Sequence, residues 1–185
     1  DPYPFGFEPT FHKYRLNEPT KLQKGKRIFV SSMGDLFGKW VPDEWIEEVL
    51  KIVYESPQHT FQFLTKNPDR YLDFYFPDNC WLGTTIEGDK AGNTFKRYWG
   101  LYPKKDNIQF VSFEPLLGME DIEVMLSSAG WLDWAIVGAE TGPGSSKPKK
   151  EWIESIINHC RFSDMPIFLK DNLDWPDKIQ EFPEV

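Results

Sequence analysis

The sequence predicts an α/β fold, a partial parallel (β/α)6 barrel of the TIM type, from three observations. Six short apolar runs alternate with helix-like segments at intervals of roughly twenty to thirty residues. Nearly every run ends in polar residues, as in a barrel, which gathers its functional groups from many strand ends. The chain has 185 residues, fewer than the ~250 of a complete eightfold barrel. An open doubly wound sheet is the alternative architecture.

The expected elements follow from apolar periodicity and from turn residues. Residues 28–35 are predicted as a strand that runs into a turn, and further strands are predicted at residues 60–66, 81–87, 108–114, 134–140 and 166–171. Helices are predicted at residues 42–55, from Asn67 onward, and at 91–101, 119–128 and 149–161. Residues 1–27 are predicted to be irregular, with a short helical turn around 11–16. No composition shift divides the chain, so we predict one domain over residues 1–185.

The segment 108–118 shows how a predicted strand carries its polar end. Alternation places Phe110, Ser112 and Glu114 on one face and the intervening residues on the other. Pro115 cannot donate to a strand ladder and should end the strand. A carboxylate at the C-terminal end of an apolar strand is typical of α/β functional sites.

The composition and net charge limit the kinds of partner that this protein is expected to have. The net charge of −8 and the pI near 4.9 give no support to a nucleic-acid partner, although a local basic patch leaves one open. No apolar run reaches the ~20 residues that a membrane helix needs, and no signal peptide precedes the first strand. We therefore expect a cytoplasmic protein without a membrane partner.

The two cysteines, Cys80 and Cys160, have no metal-ligand spacing and form no disulfide framework. Cys160 falls on the apolar stripe of a predicted helix, so a small buried hydrophobic role is expected for it. The sequence predicts no metal ligands.

Charged residues at the strand ends are the candidate catalytic groups. Three glutamates and two lysines lie at the predicted strand ends: Glu87, Glu114, Glu140, Lys66 and Lys170. If all five face inward, three anions and two cations converge on one cavity, where such groups are rarely buried unless they are paired or bind a ligand. A purely structural network of ion pairs is the alternative.

A glycine-rich loop at residues 138–147 follows the fifth strand. It matches neither the Walker phosphate loop nor the G-x-G-x-x-G dinucleotide motif. Lys147, Lys149 and Lys150 lie near the start of the next helix, where cations oppose the helix dipole. A bound anion would relieve this conflict, but exposed lysines that tolerate a small penalty are the favoured interpretation.

Six segments carry a family resemblance: Phe-Glu-Pro-Thr-Phe-His (7–12), Phe-Val-Ser-Ser-Met-Gly-Asp-Leu-Phe (29–37), Gln-His-Thr-Phe-Gln-Phe-Leu-Thr-Lys-Asn-Pro (58–68), Trp-Leu-Gly-Thr-Thr-Ile-Glu (81–87), Phe-Val-Ser-Phe-Glu-Pro-Leu-Leu-Gly (110–118) and Ile-Val-Gly-Ala-Glu-Thr-Gly-Pro-Gly (136–144). In this order, from about residue 7 to residue 170, the chain resembles the phage-associated, largely uncharacterised family of radical S-adenosylmethionine (SAM)-like proteins. The resemblance implies a partial barrel that binds SAM and a [4Fe-4S] cluster as small-molecule cofactors, with an unknown substrate.

The resemblance also implies cofactor-binding positions, namely Ser31, Ser32, Asp35, Thr85 and Ser112. The first three would lie nearest the methionine part of SAM. Ser112, together with Glu114, would meet the ribose or the substrate.

The sequence departs from the family at the cluster. The family's cysteine motif precedes the segment 7–12, where this chain has none, and thiolates are the cluster ligands. The chain begins with Asp-Pro-Tyr-Pro rather than methionine, so we expect that an N-terminal βα unit is missing.

Three functions therefore stay open. The first is the core of a radical-SAM-like enzyme without its cluster-binding segment, which as given should not hold the cluster. The second is a metal-dependent or acid/base barrel hydrolase or isomerase that uses the three glutamates. The third is a non-catalytic phage or defence module that binds SAM or a nucleotide.

Overall fold

The computed structural model describes residues 6, 8–88, 92–102 and 106–184, and it shows one six-stranded parallel sheet. The strands pair in chain order and the sheet curls into a half-barrel. They are β1 (Arg27–Phe29), β2 (Thr60–Thr65), β3 (Cys80–Thr85), β4 (Ile108–Phe113), β5 (Trp134–Val137) and β6 (Ile167–Leu169). A doubly wound sheet would reverse its strand order at a switch point, so the alternative of an open doubly wound sheet is wrong.

Four α-helices and a 3₁₀ helix connect the strands. The α-helices are α1 (Asp43–Tyr54), α2 (Thr94–Leu101), α3 (Ile122–Ser127) and α4 (Lys150–Phe162). A 3₁₀ helix, Pro68–Asp73, stands between β2 and β3 where the sequence predicted a helix starting at Asn67. The Asn67 side chain does not cap it and donates instead to the Phe37 carbonyl at 3.0 Å.

The two faces of the sheet bury different clusters, and β4 shows the alternation that the sequence predicted. Val111 and Phe113 belong to the large core beneath the helices. Phe110 belongs to a small concave-face cluster with Trp81 and Trp134. The concave face is therefore a filled layer near the middle of β3, β4 and β5.

A C-terminal segment, residues 176–184, covers the free edge of β6. Leu169 N donates to the Ile179 carbonyl at 2.8 Å, and Glu181 N donates to the Ile167 carbonyl at 3.0 Å. The Phe182 ring packs against Trp134 and lies 3.4 Å from the Arg27 guanidinium of β1. The segment thus spans from β6 toward β1 and protects one sheet edge.

Several predicted boundaries are too long. Residues 28–35 were predicted as a strand that runs into a turn, and the strand ends early, at Phe29, with Ser31 of the turn at a left-handed φ of 55°. The strands β5 and β6 and the helix α3 are likewise shorter than predicted. The N-terminal region contains two 3₁₀ turns, Lys13–Arg15 and Pro19–Lys21, and the predicted start of α2 at residue 91 lies outside the described residues.

Among the described residues, no helix combines the length and the apolar character needed to cross a bilayer.

Candidate functional site

A cavity of about 220 Å³ opens at the C-terminal ends of the first three strands. It is lined by Phe29, Ser31, Ser32, Gly34, Asp35, Leu64, Thr65, Lys66 and Thr85. The structure therefore brings together four of the five predicted cofactor-binding residues and one predicted catalytic lysine. The cavity is smaller than the ~300–1,000 Å³ of typical drug-sized ligand sites, so it suits part of an extended ligand.

The turn after β1 shapes one wall of this cavity. Ser31 has a φ of 55°, and its carbonyl accepts a 2.9 Å hydrogen bond from Gly34 N. A non-glycine residue in this region is strained, and such strain concentrates at functional sites. Asp35 then accepts hydrogen bonds from Phe37 N at 3.0 Å and from Lys66 N at 2.9 Å. The Asp35 carboxylate thus ties the turn to the end of β2.

Arg70 holds the far side of the same turn. Its Nη1 donates to the Gly38 carbonyl at 2.5 Å and its Nη2 donates to the Val41 carbonyl at 2.6 Å. The guanidinium also pairs with Asp43, and its side chain is only 13% exposed. A planar guanidinium can make these contacts at once because its donors form a rigid fork. Arg70 therefore positions the cavity wall without lining the cavity.

Lys66 and Glu87 form an ion pair across the ends of β2 and β3. Lys66 Nζ lies 2.5 Å from Glu87 Oε1, and Arg97 Nη1 lies 2.9 Å from Glu87 Oε2. Burial raises the pKa of the Glu87 carboxyl, but the hydrogen bonds from Lys66 and Arg97 outweigh it and hold this pKa below its ordinary value. Glu87 therefore stays ionised at neutral pH.

A second ion pair joins the C-terminal ends of β4 and β6, away from the cavity. Lys170 Nζ donates to both carboxylate oxygens of Glu114, at 2.5 and 2.7 Å. A Cβ on Gly138 would lie 2.9 Å from the Glu114 carboxyl carbon, so only glycine leaves room for that carboxylate. Neither member of this pair lines the cavity.

Glu140 lies apart from both pairs. Its side chain is exposed and accepts a 3.4 Å hydrogen bond from Ser146 N within the glycine-rich loop. The five predicted catalytic residues therefore form two separate ion pairs and one loop contact, and only Lys66 lines the cavity. Their catalytic roles stay a prediction.

Two buried polar side chains on the concave face have no hydrogen-bond partner among the described residues. These are Ser112, whose Oγ is orphaned, and Gln62, whose Nε2 is orphaned. Ser112 was predicted as a cofactor-binding residue and pairs in register with Thr85, which lines the cavity. Sequence reasoning missed Gln62. Its signal was a lone amide at an inward position of an otherwise apolar strand.

The lysines of the glycine-rich region all have partners. Lys147 pairs with Asp174, Lys150 lies 3.5 Å from Glu154, and Lys149 lies over the Trp152 ring at 5.1 Å. Exposed lysines with local partners account for this patch, and the structure adds no support for a bound anion.

The donor set of the described residues does not fit an iron–sulfur cluster. Cys80 and Cys160 are both fully buried in the core beneath the helices. Burial raises the pKa of each thiol to about 12, whereas cluster ligands are thiolates. The prediction that Cys160 is a small buried residue is confirmed. No group of three histidine, cysteine or acidic side chains suited to a metal occurs in the described part of the chain.

Comparison with known proteins identifies one family. A family model described as "Protein of unknown function (DUF5131)" matches residues 3–181, nearly the whole chain. The comparisons gave no match to a curated protein and none to a solved structure.

Proposed function

We propose, for a chain that belongs to the DUF5131 family of proteins of unknown function, that the cavity at the ends of β1 to β3 binds SAM through its aminocarboxyl group. The observation that carries this proposal is that side chains of opposite charge line two sides of one small cavity. Asp35 and two serine hydroxyls stand on the β1 side, and Lys66 stands on the β2 side. An aminocarboxyl group carries one ammonium and one carboxylate, so it complements both sides.

The hydrogen-bonding capacity of the cavity supports this match. A carboxylate has about four acceptor positions, and Asp35 uses two of them for Phe37 N and Lys66 N. The remaining positions can accept from a ligand ammonium. An ammonium has three donors, and Lys66 directs one of them to Glu87. The others can meet a ligand carboxylate.

Ser112 supports a ligand that extends beyond the aminocarboxyl group. Its hydroxyl is buried without a partner and lies beside Thr85 on the next strand. A buried hydroxyl costs free energy unless something satisfies it. In this proposal the ribose of SAM supplies the partner.

The family resemblance adds a radical reaction to this binding role. A [4Fe-4S] cluster would supply the electron for reductive cleavage of SAM, but the described cysteines do not fit such a cluster. The radical role therefore requires ligands from outside the described residues, and this chain's own residues are assigned only to holding SAM.

The carboxylate hydrolase is less well supported by the same geometry. A general acid must carry a proton near neutral pH, whereas Glu87 is held ionised by Lys66 and Arg97. Both oxygens of Glu114 are engaged by Lys170. These contacts favour a structural or orienting role for both carboxylates over a role in proton transfer.

Equilibrium dialysis with labelled SAM tests the proposal. We expect the parent protein to bind SAM and the Lys66→Met variant to bind at least tenfold more weakly, because the carboxylate loses its cation. Lys170→Met is the matched control, since it also breaks a lysine–glutamate pair at a strand end but lies away from the cavity. Equal weakening in both variants, or no binding by the parent, would contradict the proposal.

A further inference from the structure

A second and larger cavity lies at the N-terminal ends of β4, β5 and β6, at the opposite end of the strands from the cavity proposed for SAM. Its volume is about 640 Å³, which falls within the ~300–1,000 Å³ of typical small-molecule sites. It is lined by the start of β4, by the residues just before β5 and β6, by the end of α4 and by the C-terminal segment. Nothing in the proposed function uses this cavity.

Apolar side chains form much of the cavity wall. Leu132 and Met165 are 7% and 5% exposed, and Ile108, Phe182 and Pro183 line the cavity beside them. Such a wall gains free energy when methylene groups cover it. It therefore suits a ligand with an aliphatic portion.

Asp133 is the half-buried carboxylate of this cavity. Its Oδ2 accepts a 2.7 Å hydrogen bond from Gln109 N, and its Oδ1 has no hydrogen-bond or ion-pair partner among the described residues. Burial raises the pKa of the Asp133 carboxyl, and the bond from Gln109 N only partly offsets this effect. The carboxylate thus lacks a cation, and a positively charged ligand group would supply one.

The side chains around Asp133 do not supply that cation. Arg161 is the one cation among the described residues that line the cavity. Its Nη1 and Nη2 donate to the two carboxylate oxygens of Glu181, at 2.8 and 2.7 Å. The Ser163 hydroxyl likewise donates to the His159 carbonyl at 3.0 Å. The cavity therefore offers an acceptor to a ligand, while these donors are used within the protein.

Two further features of the lining favour positive charge. The cavity lies at the C-terminal end of α4, where the helix dipole is negative. Asp164, just after α4, and Glu184, in the C-terminal segment, also line it, and neither forms an ion pair within the described part of the chain. With Asp133 they place carboxylates on three separate parts of the chain.

The separation of these carboxylates argues for an extended ligand. No group of three acidic, histidine or cysteine side chains among the described residues is suited to one metal ion. A chain with several ammonium groups joined by methylenes can reach carboxylates that stand apart, and its methylenes can cover the apolar wall between them.

We infer that this cavity binds a protonated aliphatic polyamine, with one ammonium group on Asp133 Oδ1 and the methylene chain along Leu132 and Met165. A second ammonium group pairs with Glu184, so the ligand links the C-terminal segment to the sheet. The inference does not depend on SAM binding, because the two cavities share no lining residue.

A general attraction between a polycation and an acidic chain is the alternative that a test must exclude. The protein has a net charge of −8, and such attraction acts through the overall field and is screened by salt. It would respond equally to the loss of any exposed carboxylate. A site in the cavity responds to Asp133 and not to an acidic residue elsewhere.

The experiment is isothermal titration of the parent and of three variants with spermidine, at about 0.15 M salt to screen the overall field. Asp133→Asn keeps the size of the side chain and an acceptor for Gln109 N but removes the charge, so binding should weaken at least about tenfold. Glu184→Gln changes an exposed residue and should weaken binding about threefold, as expected of an exposed ion pair. Asp177→Asn is the matched control, since Asp177 is exposed in the same segment but does not line the cavity, and it should bind as the parent does.

A second ligand separates charge from shape. Hexaamminecobalt(III) carries the same charge as spermidine but has no methylene chain. It should bind the parent more weakly than spermidine does, and Asp133→Asn should weaken its binding no more than Asp177→Asn does.

Thermal melts of the ligand-free proteins show whether each variant folds. Equal weakening of spermidine binding by Asp133→Asn and Asp177→Asn, equal affinity of the parent for the two trivalent cations, or no spermidine binding by the parent would overturn the inference. If Asp133→Asn does not fold, Glu184→Gln decides, and parent-like affinity in that variant would overturn the inference. SAM binding should be the same in all three variants as in the parent, so a failure of either proposal leaves the other standing.

Discussion

Lys66 Nζ lies 2.5 Å from Glu87 Oε1, so the one cation that lines the cavity among the predicted catalytic residues is held by a carboxylate on the neighbouring strand. Arg97 binds the other oxygen of Glu87. The glutamate side chain is 15% exposed and keeps its charge through these two cations. The ammonium of Lys66 is therefore oriented before any ligand arrives, which lowers the entropy cost of binding.

The Glu87 contacts predict a dependence of stability on pH. The pKa of this carboxyl is depressed in the folded protein, so its contribution is present above the unfolded pKa of about 4.3 and is lost as pH falls through the folded pKa. Arg97→Met should cost about 2 kcal/mol at pH 7, and the difference from the parent should shrink toward pH 3. Urea unfolding between pH 3 and 7 measures this, and a gap that does not change with pH would contradict it.

The fold was predictable because its signals are local and repeated. Six apolar runs with helical segments between them indicate a parallel sheet, and the alternation of Phe110 and Val111 is visible in the sequence. The ends of elements were not predictable, because they depend on backbone conformations such as the positive φ of Ser31.

The site was only partly predictable for a different reason. Strand ends identify Lys66, Glu87, Glu114 and Lys170 as polar groups at one edge, but their pairing depends on register and side-chain reach. The pairs are therefore a property of the folded sheet. Gln62 was missed because an inward polar residue in a strand becomes informative only when its neighbours leave it unsatisfied.

Arg70 should control the cavity from outside it. Arg70→Met removes the donors to the Gly38 and Val41 carbonyls, so we expect a loss of about 2–3 kcal/mol in unfolding free energy and weaker SAM binding. Arg70→Lys should not rescue either property, because an ammonium cannot reproduce the planar fork. Thermal melts and SAM titrations check both effects, and a full rescue by lysine would show that charge alone matters.

The two thiols should be unreactive in the folded protein. Both are buried and have pKa values raised to about 12, and the thiolate is the reactive form. An aromatic disulfide reagent at pH 8 should label neither Cys80 nor Cys160 before unfolding and both afterwards. Rapid labelling of either thiol in native protein would contradict the burial described above.

The C-terminal segment should contribute to stability through Phe182. This ring packs on Trp134 and Phe168 and lies against Arg27. Because Phe182 is partly buried, Phe182→Ala should cost about 1–3 kcal/mol. Phe162→Ala is the matched control, because Phe162 is 91% exposed and its loss should cost less than about 0.5 kcal/mol. Equal costs in denaturant unfolding would mean that the segment does not stabilise the half-barrel.

Gly138 should be required for the second ion pair. An added Cβ would lie 2.9 Å from the Glu114 carboxyl carbon, closer than van der Waals contact allows. Gly138→Ala should therefore displace Glu114 from Lys170 and lower the melting temperature. SAM binding in the cavity at the ends of β1 to β3 should stay near the parent value. Loss of SAM binding in this variant would instead place Glu114 in the ligand site.

The central claim is that the cavity between the β1 turn and Lys66 binds the aminocarboxyl group of SAM, and a crystal structure of the SAM complex tests it most directly. The account predicts ligand density with its ammonium near Asp35 and its carboxylate near Lys66. Density for SAM at the glycine-rich loop or beside Glu114 and Lys170, with this cavity empty of ligand, would contradict it.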